Sequence, residues 1–425
     1  MFLFVDIALL VLALGLLVPI AVLFVECSAA LLPPRNESQR KSVPRPKLAV
    51  LVPAHNEAQI IGATLETILP QLTEQDRLVV VADNCSDETA DIAKRYCNRE
   101  MAVLAQSGGT QELAPSKSVV NVSVVERYDV ERKGKGYALD YGLRSIEKDT
   151  PDVVVMIDAD CIVGEGAIEQ IACLAASINR PVQATYLMEQ PANPGSKDLV
   201  SGLAFMVKNF VRPRGLTRLQ LPCLLTGTGM AFPWSVVANA SLASSNIVED
   251  MQFSVDLVLA GQAPVFCSNA KFTGRLPQQE KAAKSQRTRW EHGHLQTLKT
   301  QVPQLLRAAV HQKRFDLLAL ALEVLVPPVS LLVMIWIALM AGALLAGVLG
   351  NSWIPALVLA VEGLLIFASV VSVWAKFGRA DFPLLTLLAV PFYILWKIPL
   401  YLAFLIRPQT KWIRTERDTV DVSKP

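Results

Sequence analysis

Hydrophobic positions along the chain fall into three regimes. Phe2 to Val25 is apolar with a single charge, Asp6, and is long enough to cross a bilayer. A second apolar block runs from about Leu317 to Ile406. Between them, short apolar runs bounded by turn residues alternate with stretches of helical spacing. LAVLVPA (Leu48–Ala54) and RLVVVAD (Arg77–Asp83) have the pattern of buried parallel strands. Helical spacing follows each, over Glu57–Leu69 and over Ser86–Arg95, with Ser86 placed as an N-cap. Strand NVSVVERY, helix YALDYGLRS and strand DVVVMID continue the alternation. The pattern predicts an α/β domain with a largely parallel sheet, its working residues at the carboxyl ends of strands. Gln106–Lys117 reads as a polar surface insertion, and no internal repeat is found.

Inside the second apolar block, Val329–Leu349 and Trp353–Trp374 are predicted spans separated by a Gly-Asn-Ser turn. Leu317–Val326, ended by Pro327-Pro328, is short for a span and is expected in the interface. Leu384–Ile406 has the length of a span but carries Pro391, Lys397 and Pro399, and a central lysine is costly in lipid. Two full spans would return the basic tail Lys411–Arg417 to the cytoplasm, so the last helix is expected to be interfacial or re-entrant.

The first span has neither a basic n-region nor a small-residue cleavage site, which predicts a retained anchor. Arg35, Arg40, Lys41, Arg45 and Lys47 follow it and place the middle domain in the cytoplasm. The expected partition is an anchor over 1–30, a linker over 31–47 and a cytoplasmic domain over 48–300. An amphipathic segment over 301–328, transmembrane and interfacial helices over 329–406 and a basic tail over 407–425 complete it.

Composition sharpens this picture in three ways. A hydrophobic fraction of 52% and a mean hydropathy of +0.37 exclude a purely soluble protein. A net charge of +2 is too small to make nucleic acid the main partner. Seven scattered cysteines without a CxxC fit a reducing compartment and exclude a thiolate metal cluster.

Candidate chemistry lies at strand ends and in loops. In VADNCSD, Asp83 closes a strand and can accept hydrogen bonds from a base or ribose, or form a simple Asx turn. In ERKGKGYALDYG, Lys133 and Lys135 alternate with glycines before a helix, a setting that suits anions; no Walker sequence is present. In VVVMIDADCIV, Asp158 and Asp160 end a strand one residue apart, so an extended backbone would aim both at one divalent cation. In NIVEDMQFSVDL, Glu249 and Asp250 precede a helix, as capping acids or as a general base. In SQRTRWEHGHLQ, a helix puts Gln286, Arg289, Trp290 and Gly293 on one face and makes Arg287 and Glu291 an i,i+4 pair. A guanidinium beside an amide suits a diphosphate, and an indole suits a sugar ring. His292 and His294 lack helical metal spacing.

Taken in order, Asp83, Asp158-Ala159-Asp160, Glu249-Asp250 and Gln286-Arg-Thr-Arg289-Trp290 resemble the membrane-bound family 2 glycosyltransferases. That group includes cellulose, hyaluronan and poly-N-acetylglucosamine synthases and ceramide glucosyltransferases. VPAHNE (Val52–Glu57) and TGTGMAF (Thr226–Phe232) are similar to further family elements, and the resemblance covers about Leu48 to Gly293. It implies a GT-A fold, a nucleotide-sugar donor, expected to be a UDP-sugar, and Mg²⁺ or Mn²⁺ as cofactor. It assigns the nucleotide to Asp83 with Pro53, Asn56 and Glu57, and the metal to Asp160 helped by Asp158. Asp250, beside Glu249, becomes the catalytic base. Lys135 and Thr226, Gly227 and Gly229 line the donor and acceptor sites, and Arg289, with Gln286, steadies the departing diphosphate while Trp290 receives the acceptor.

The same resemblance implies a lipid or polysaccharide acceptor and a bacterial inner-membrane location. The tail RPQTKWIRTERD is similar to members that act in exopolysaccharide or glycolipid assembly, which implies partner proteins of that kind. Fewer membrane helices than a secreting synthase favour a single transfer over processive polymerisation. A nucleotide-binding transporter component is the reading from another class. Against it, the apolar block holds few ionisable residues, among them Glu323, Glu362 and Lys397.

Overall fold

A computed structural model describes residues 2–33, 44–97, 101–102, 117–118, 120–191, 193–244, 248–275 and 280–406. Most of the predicted 106–117 insertion, the basic residues at 35–41 and the tail beyond 406 lie outside them. In chain order, α1 (Phe2–Leu31) precedes β1 (Leu48–Ala54), α2 (Ile61–Ile68), β2 (Arg77–Asp83) and α3 (Thr89–Lys94). A two-residue pair, β3 (Met101–Ala102) and β4 (Lys117–Ser118), leads to β5 (Asn121–Arg127), α4 (Lys135–Ile146), β6 (Val153–Met156) and β7 (Cys161–Val163). Then come α5 (Ala167–Ile178), β8 (Val182–Glu189), α6 (Ser196–Met206), α7 (Arg212–Arg218), β9 (Met230–Pro233) and α8 (Trp234–Val237). The chain continues through α9 (Glu249–Leu259), β10 (Val265–Arg275), α10 (Glu280–Gln312) and α11 (Phe315–Leu325). It ends in α12 (Val329–Val348), α13 (Ile354–Val373) and α14 (Leu385–Ile406).

These elements form two compact units. One comprises the described residues within 44–189 and 224–285 and contains an eight-stranded mixed sheet in the order β5-β2-β1-β6-β9-β8-β10-β7. The strands β5, β2, β1 and β6 run parallel, with Val50 opposite Leu78 and Val155. Such strands must be apolar on both faces; β1 and β2 accordingly bury nearly every residue. β9 enters antiparallel to β6, with Met230 opposite Met156, so the residues just before Met230 arrive at the carboxyl end of β6. Helix α4 packs Ala138, Leu139, Leu143 and Ile146 onto this sheet beside Phe232 and Phe253. Gly142 is required at that contact, because a Cβ there would lie 2.9 Å from a Val81 methyl.

The described residues within 2–33, 190–223 and 286–406 form the other unit. Among the described residues four helices, with bounds Leu3–Leu31, Val329–Val348, Ile354–Gly378 and Leu385–Ile406, are long and apolar enough to cross a membrane. The segment expected to be interfacial is thus one continuous helix of spanning length, with Pro391 and Pro399 inside it. Its lysine is not bare: Lys397 is buried and ion-paired with Glu291 of α10. Arg212 of α7 donates to Glu26 of α1 at 2.5 Å and to the Glu323 carbonyl at 2.9 Å, tying α1, α7 and α11 together.

Candidate active site

The parallel strands end on one side of the sheet, and the predicted acids gather there. Asp83 ends β2, and Asp158 lies two residues past β6, with β1 between these strands. Two strand spacings put the two positions about 10 Å apart across the sheet.

At the β1 and β2 ends, side chains lace the following loops together. Asn56, in a left-handed conformation at φ 55°, accepts the Ser86 N–H at 2.7 Å and donates to the Ser86 hydroxyl at 3.0 Å. The Glu57 N–H donates to the Thr89 hydroxyl, and the Ala58 N–H donates to Asp87. Ser86 is therefore not the N-cap of α3, which starts three residues later; the cap position falls to Glu88, and Asp87 just before it accepts the Thr89 N–H at 3.0 Å. These hydrogen bonds hold the Asp87 carboxyl below its usual range, against the opposing effect of its burial. Nor does Asp83 form a simple Asx turn. It is buried, accepts Arg127 at 2.6 Å and accepts the Asn84 amide at 3.1 Å. Pro53, in β1, sits half-buried beside Val81.

The DAD sequence is not extended. β6 ends at Met156, and Asp158 to Cys161 forms a turn closed by the Cys161 N–H on the Asp158 carbonyl. The alternation of an extended strand therefore does not align the two carboxylates; the turn keeps Asp160 close enough to raise the Asp158 carboxyl, after burial and against Lys135. Thr228 fixes the start of that turn by accepting the Asp158 N–H at 3.0 Å. Gln183 of β8 holds the adjoining loop, donating to the Thr228 carbonyl at 2.9 Å and accepting the Thr226 N–H at 2.8 Å. Gly227 and Gly229 take φ values of 90° and 64°, which only glycine adopts readily.

Lys135 is the first residue of α4, after Gly134 at φ 133°. Its ammonium pairs with Asp158 and donates to the Gly227 carbonyl at 2.7 Å. A Cβ on Gly227 would lie 3.3 Å from both the Lys135 Nζ and an Asp250 carboxylate oxygen. Glu249 and Asp250 begin α9, where Asp250 accepts the next N–H at 2.8 Å and the Ser254 hydroxyl donates to its carbonyl. Burial works against the charge on Lys135, but Asp158, Glu249 and Asp250 outweigh it and hold its pKa above the ordinary lysine value. Burial and then Asp250 push the Glu249 carboxyl up to about 7.

Among the described residues no three His, Cys, Asp or Glu side chains converge as a metal site. The DAD turn nevertheless fits a hard divalent cation. Mg²⁺ typically takes one or two carboxylates plus substrate phosphates and water, and here Asp160 lies close enough to Asp158 to act on its charge, while Asp158, Glu249 and Asp250 act on the Lys135 ammonium.

Gln286, Arg289 and Trp290 belong to the other unit and lie on α10. The expected Arg287–Glu291 pair does not form. Arg287 pairs with Asp198 at 3.3 Å and Glu291 with Lys397, because both find partners on other helices. Trp290 packs 5.7 Å from the Phe205 ring. The two histidines are buried against carbonyls, His292 on Leu400 at 3.0 Å and His294 on Val324 at 3.2 Å. Burial, then Lys208 and Arg212, push His294 down to about 3 and keep it neutral.

Sequence reasoning missed Arg127 and Gln183. Gln183 alone left a signal, a long polar side chain inside the apolar strand PVQATYL.

The sheet with its acids at the carboxyl edge is the GT-A architecture, accompanied by one amino-terminal and three carboxyl-terminal apolar helices. The model of glycosyl transferase family 2 matches residues 49–186, and that of glycosyl transferase family group 2 matches residues 153–406. The chain belongs to glycosyl transferase family group 2. A probable glycosyltransferase of Bacillus subtilis, YdaM, is 33% identical over 116 residues, covering 24% of this chain and 28% of that relative. The mannosyltransferase PcManGT from Pyrobaculum calidifontis, solved with GDP-Man and Mn²⁺, shares the fold at a TM-score of 0.54 and 18% identity. That likeness covers 94% of this chain and 100% of the other. S. aureus TarS is more remote, with a TM-score of 0.35 and 13% identity over 60% of this chain and 44% of that one.

Proposed function

We propose that the chain is an inverting glycosyltransferase that moves a sugar from a nucleotide-sugar donor, expected to be a UDP-sugar, to a hydroxyl of a membrane-associated acceptor. The observation that carries this reading is the gathering of three carboxylates, Asp158, Glu249 and Asp250, about the Lys135 ammonium at the carboxyl edge of the sheet, with Asp160 beside Asp158. The four apolar helices favour a lipid-borne acceptor at a membrane.

In this reading Asp83, Asn56 and Glu57, with Pro53, hold the nucleoside. A divalent cation held by Asp160 and Asp158 would supply charge neutralisation at the diphosphate. The Asp250 carboxylate accepts the proton of the acceptor hydroxyl as its oxygen attacks the anomeric carbon. The bond from that carbon to the diphosphate oxygen breaks, and its electron pair leaves with the nucleoside diphosphate. One displacement inverts the anomeric centre. Thr226, Gly227 and Gly229 shape the donor and acceptor sites, the two glycines without side chains that would crowd them. Gln286, Arg289 and Trp290 are assigned to the diphosphate and acceptor on the strength of their motif.

The test is donor turnover by the full chain in detergent, with Mn²⁺ or Mg²⁺ and a panel of UDP- and GDP-sugars. Release of one nucleoside diphosphate is expected, lost in Asp160→Ala and in EDTA. Full turnover in EDTA would remove the metal role of Asp158 and Asp160. The length of the product separates one transfer from polymerisation.

A further inference from the structure

Lys135 stands where a helix disfavours it. The first turn of a helix carries the positive end of the dipole and prefers an acid, yet α4 opens with this lysine. Its ammonium is committed to Asp158 and to the Gly227 carbonyl, and it feels the charges of Glu249 and Asp250. A lysine ammonium has three donors, and two of them are occupied by these contacts. The position therefore serves the acid cluster rather than the helix.

Asp158 is also one of the two carboxylates that the proposed function gives to a divalent cation. The ammonium and the cation thus compete for one side chain. A bare cation arriving at the DAD turn must either detach Lys135 from Asp158 or share the carboxylate with a positive charge a few ångströms away. Either course is unfavourable, since one gives up the Lys135–Asp158 ion pair with only Glu249 and Asp250 left to the ammonium, and the other sets two cations on one carboxylate. A nucleoside diphosphate changes this, because its phosphates offer the ammonium a replacement for Asp158.

From this geometry we infer that Lys135 is a positioning residue that makes cation binding conditional on the nucleotide. It acts as the resident counter-ion of the acid cluster, weakening the cation's hold when the nucleotide is absent and turning to the diphosphate when it is present. By linkage, the nucleotide then tightens the cation by the same factor as the cation tightens the nucleotide. The inference rests on the metal-dependent reading above, and it concerns the order of loading rather than the chemistry.

The experiment is a Mn²⁺ titration of the full chain in detergent, read by the electron paramagnetic resonance signal of free Mn²⁺, alone and with saturating UDP or GDP. In the wild type the tighter-binding nucleotide is expected to strengthen Mn²⁺ binding by about tenfold or more. In Lys135→Met, Mn²⁺ alone should bind about tenfold more tightly than in the wild type, and the strengthening by nucleotide should shrink by the same factor. Lys135→Arg keeps the cation and should keep most of the coupling, which preserves the test where the methionine variant folds poorly. Binding of Mn²⁺ alone to Lys135→Met at or below the wild-type affinity overturns the inference, as does unchanged coupling. Absence of Mn²⁺ binding from the wild type even with both nucleotides would instead overturn the metal-dependent reading beneath it.

Discussion

Two groups of buried charge in this molecule are built on opposite principles. In the unit that carries the apolar helices, two buried ion pairs are matched one to one, while Glu362 of α13 is buried with neither carboxylate oxygen hydrogen-bonded among the described residues. Glu26 meets Arg212, and Glu291 meets Lys397, all four largely withdrawn from solvent. At the sheet edge of the other unit, among the described residues, the acids are in excess: Asp158, Glu249 and Asp250 act on one ammonium, that of Lys135. A matched pair is complete, and its role is to hold helices together. An unmatched group is stable only with protons or with an added cation, which marks it as a place where something charged arrives. The comparison distinguishes architecture from chemistry without reference to any motif.

Breaking a matched pair should have the larger effect on stability. Arg212→Met leaves the Glu26 carboxylate buried without its partner and is expected to destabilise the unit by about 3–5 kcal/mol. Adding Glu26→Gln should recover most of that loss. Thermal unfolding of the full chain in detergent measures both, and equal stability of the single variant and the wild type would show that the pair is ornamental.

The unmatched group gives a smaller effect, tied to pH. The Glu249 carboxyl is raised to about 7 in the folded protein from an ordinary value of 4.5. The folded state therefore binds this proton more tightly than the unfolded chain does. Stability from Glu249 is fully present below the unfolded value and is lost as pH rises from there through about 7. In EDTA, the wild type should lose melting temperature between pH 5 and 8 more steeply than Glu249→Gln, whose amide does not titrate. Parallel curves for the two proteins would place the excess charge elsewhere.

Much of this was legible in the sequence, for reasons that differ from element to element. β1 and β2 were read residue for residue, because Leu48–Ala54 and Arg77–Asp83 are apolar runs closed by turn residues, a purely local signal. The two central apolar helices were read almost as well. The DAD stretch was misread as extended because its turn depends on Thr228, 70 positions away, accepting the Asp158 N–H. Arg287 and Glu291 were paired by helical spacing, yet Asp198 and Lys397 on other helices offer them partners that local spacing cannot show. The ion pair between Asp83 and Arg127 was hidden for the same reason, since parallel strands bring together residues 44 apart. Lys397 argued against a span only while it was considered alone; with Glu291 beside it, the helix accommodates the charge.

The central claim is that the unmatched acids perform a transfer rather than merely bind, and Asp250→Asn tests it most directly. The substitution keeps size and the oxygen that accepts the Met251 N–H, and removes the base. Donor turnover and nucleoside diphosphate binding should be measured together on the full chain in detergent. The account predicts a fold and a nucleotide affinity close to the wild type, with turnover reduced by about 10²–10⁴. Turnover at the wild-type rate in Asp250→Asn would contradict it.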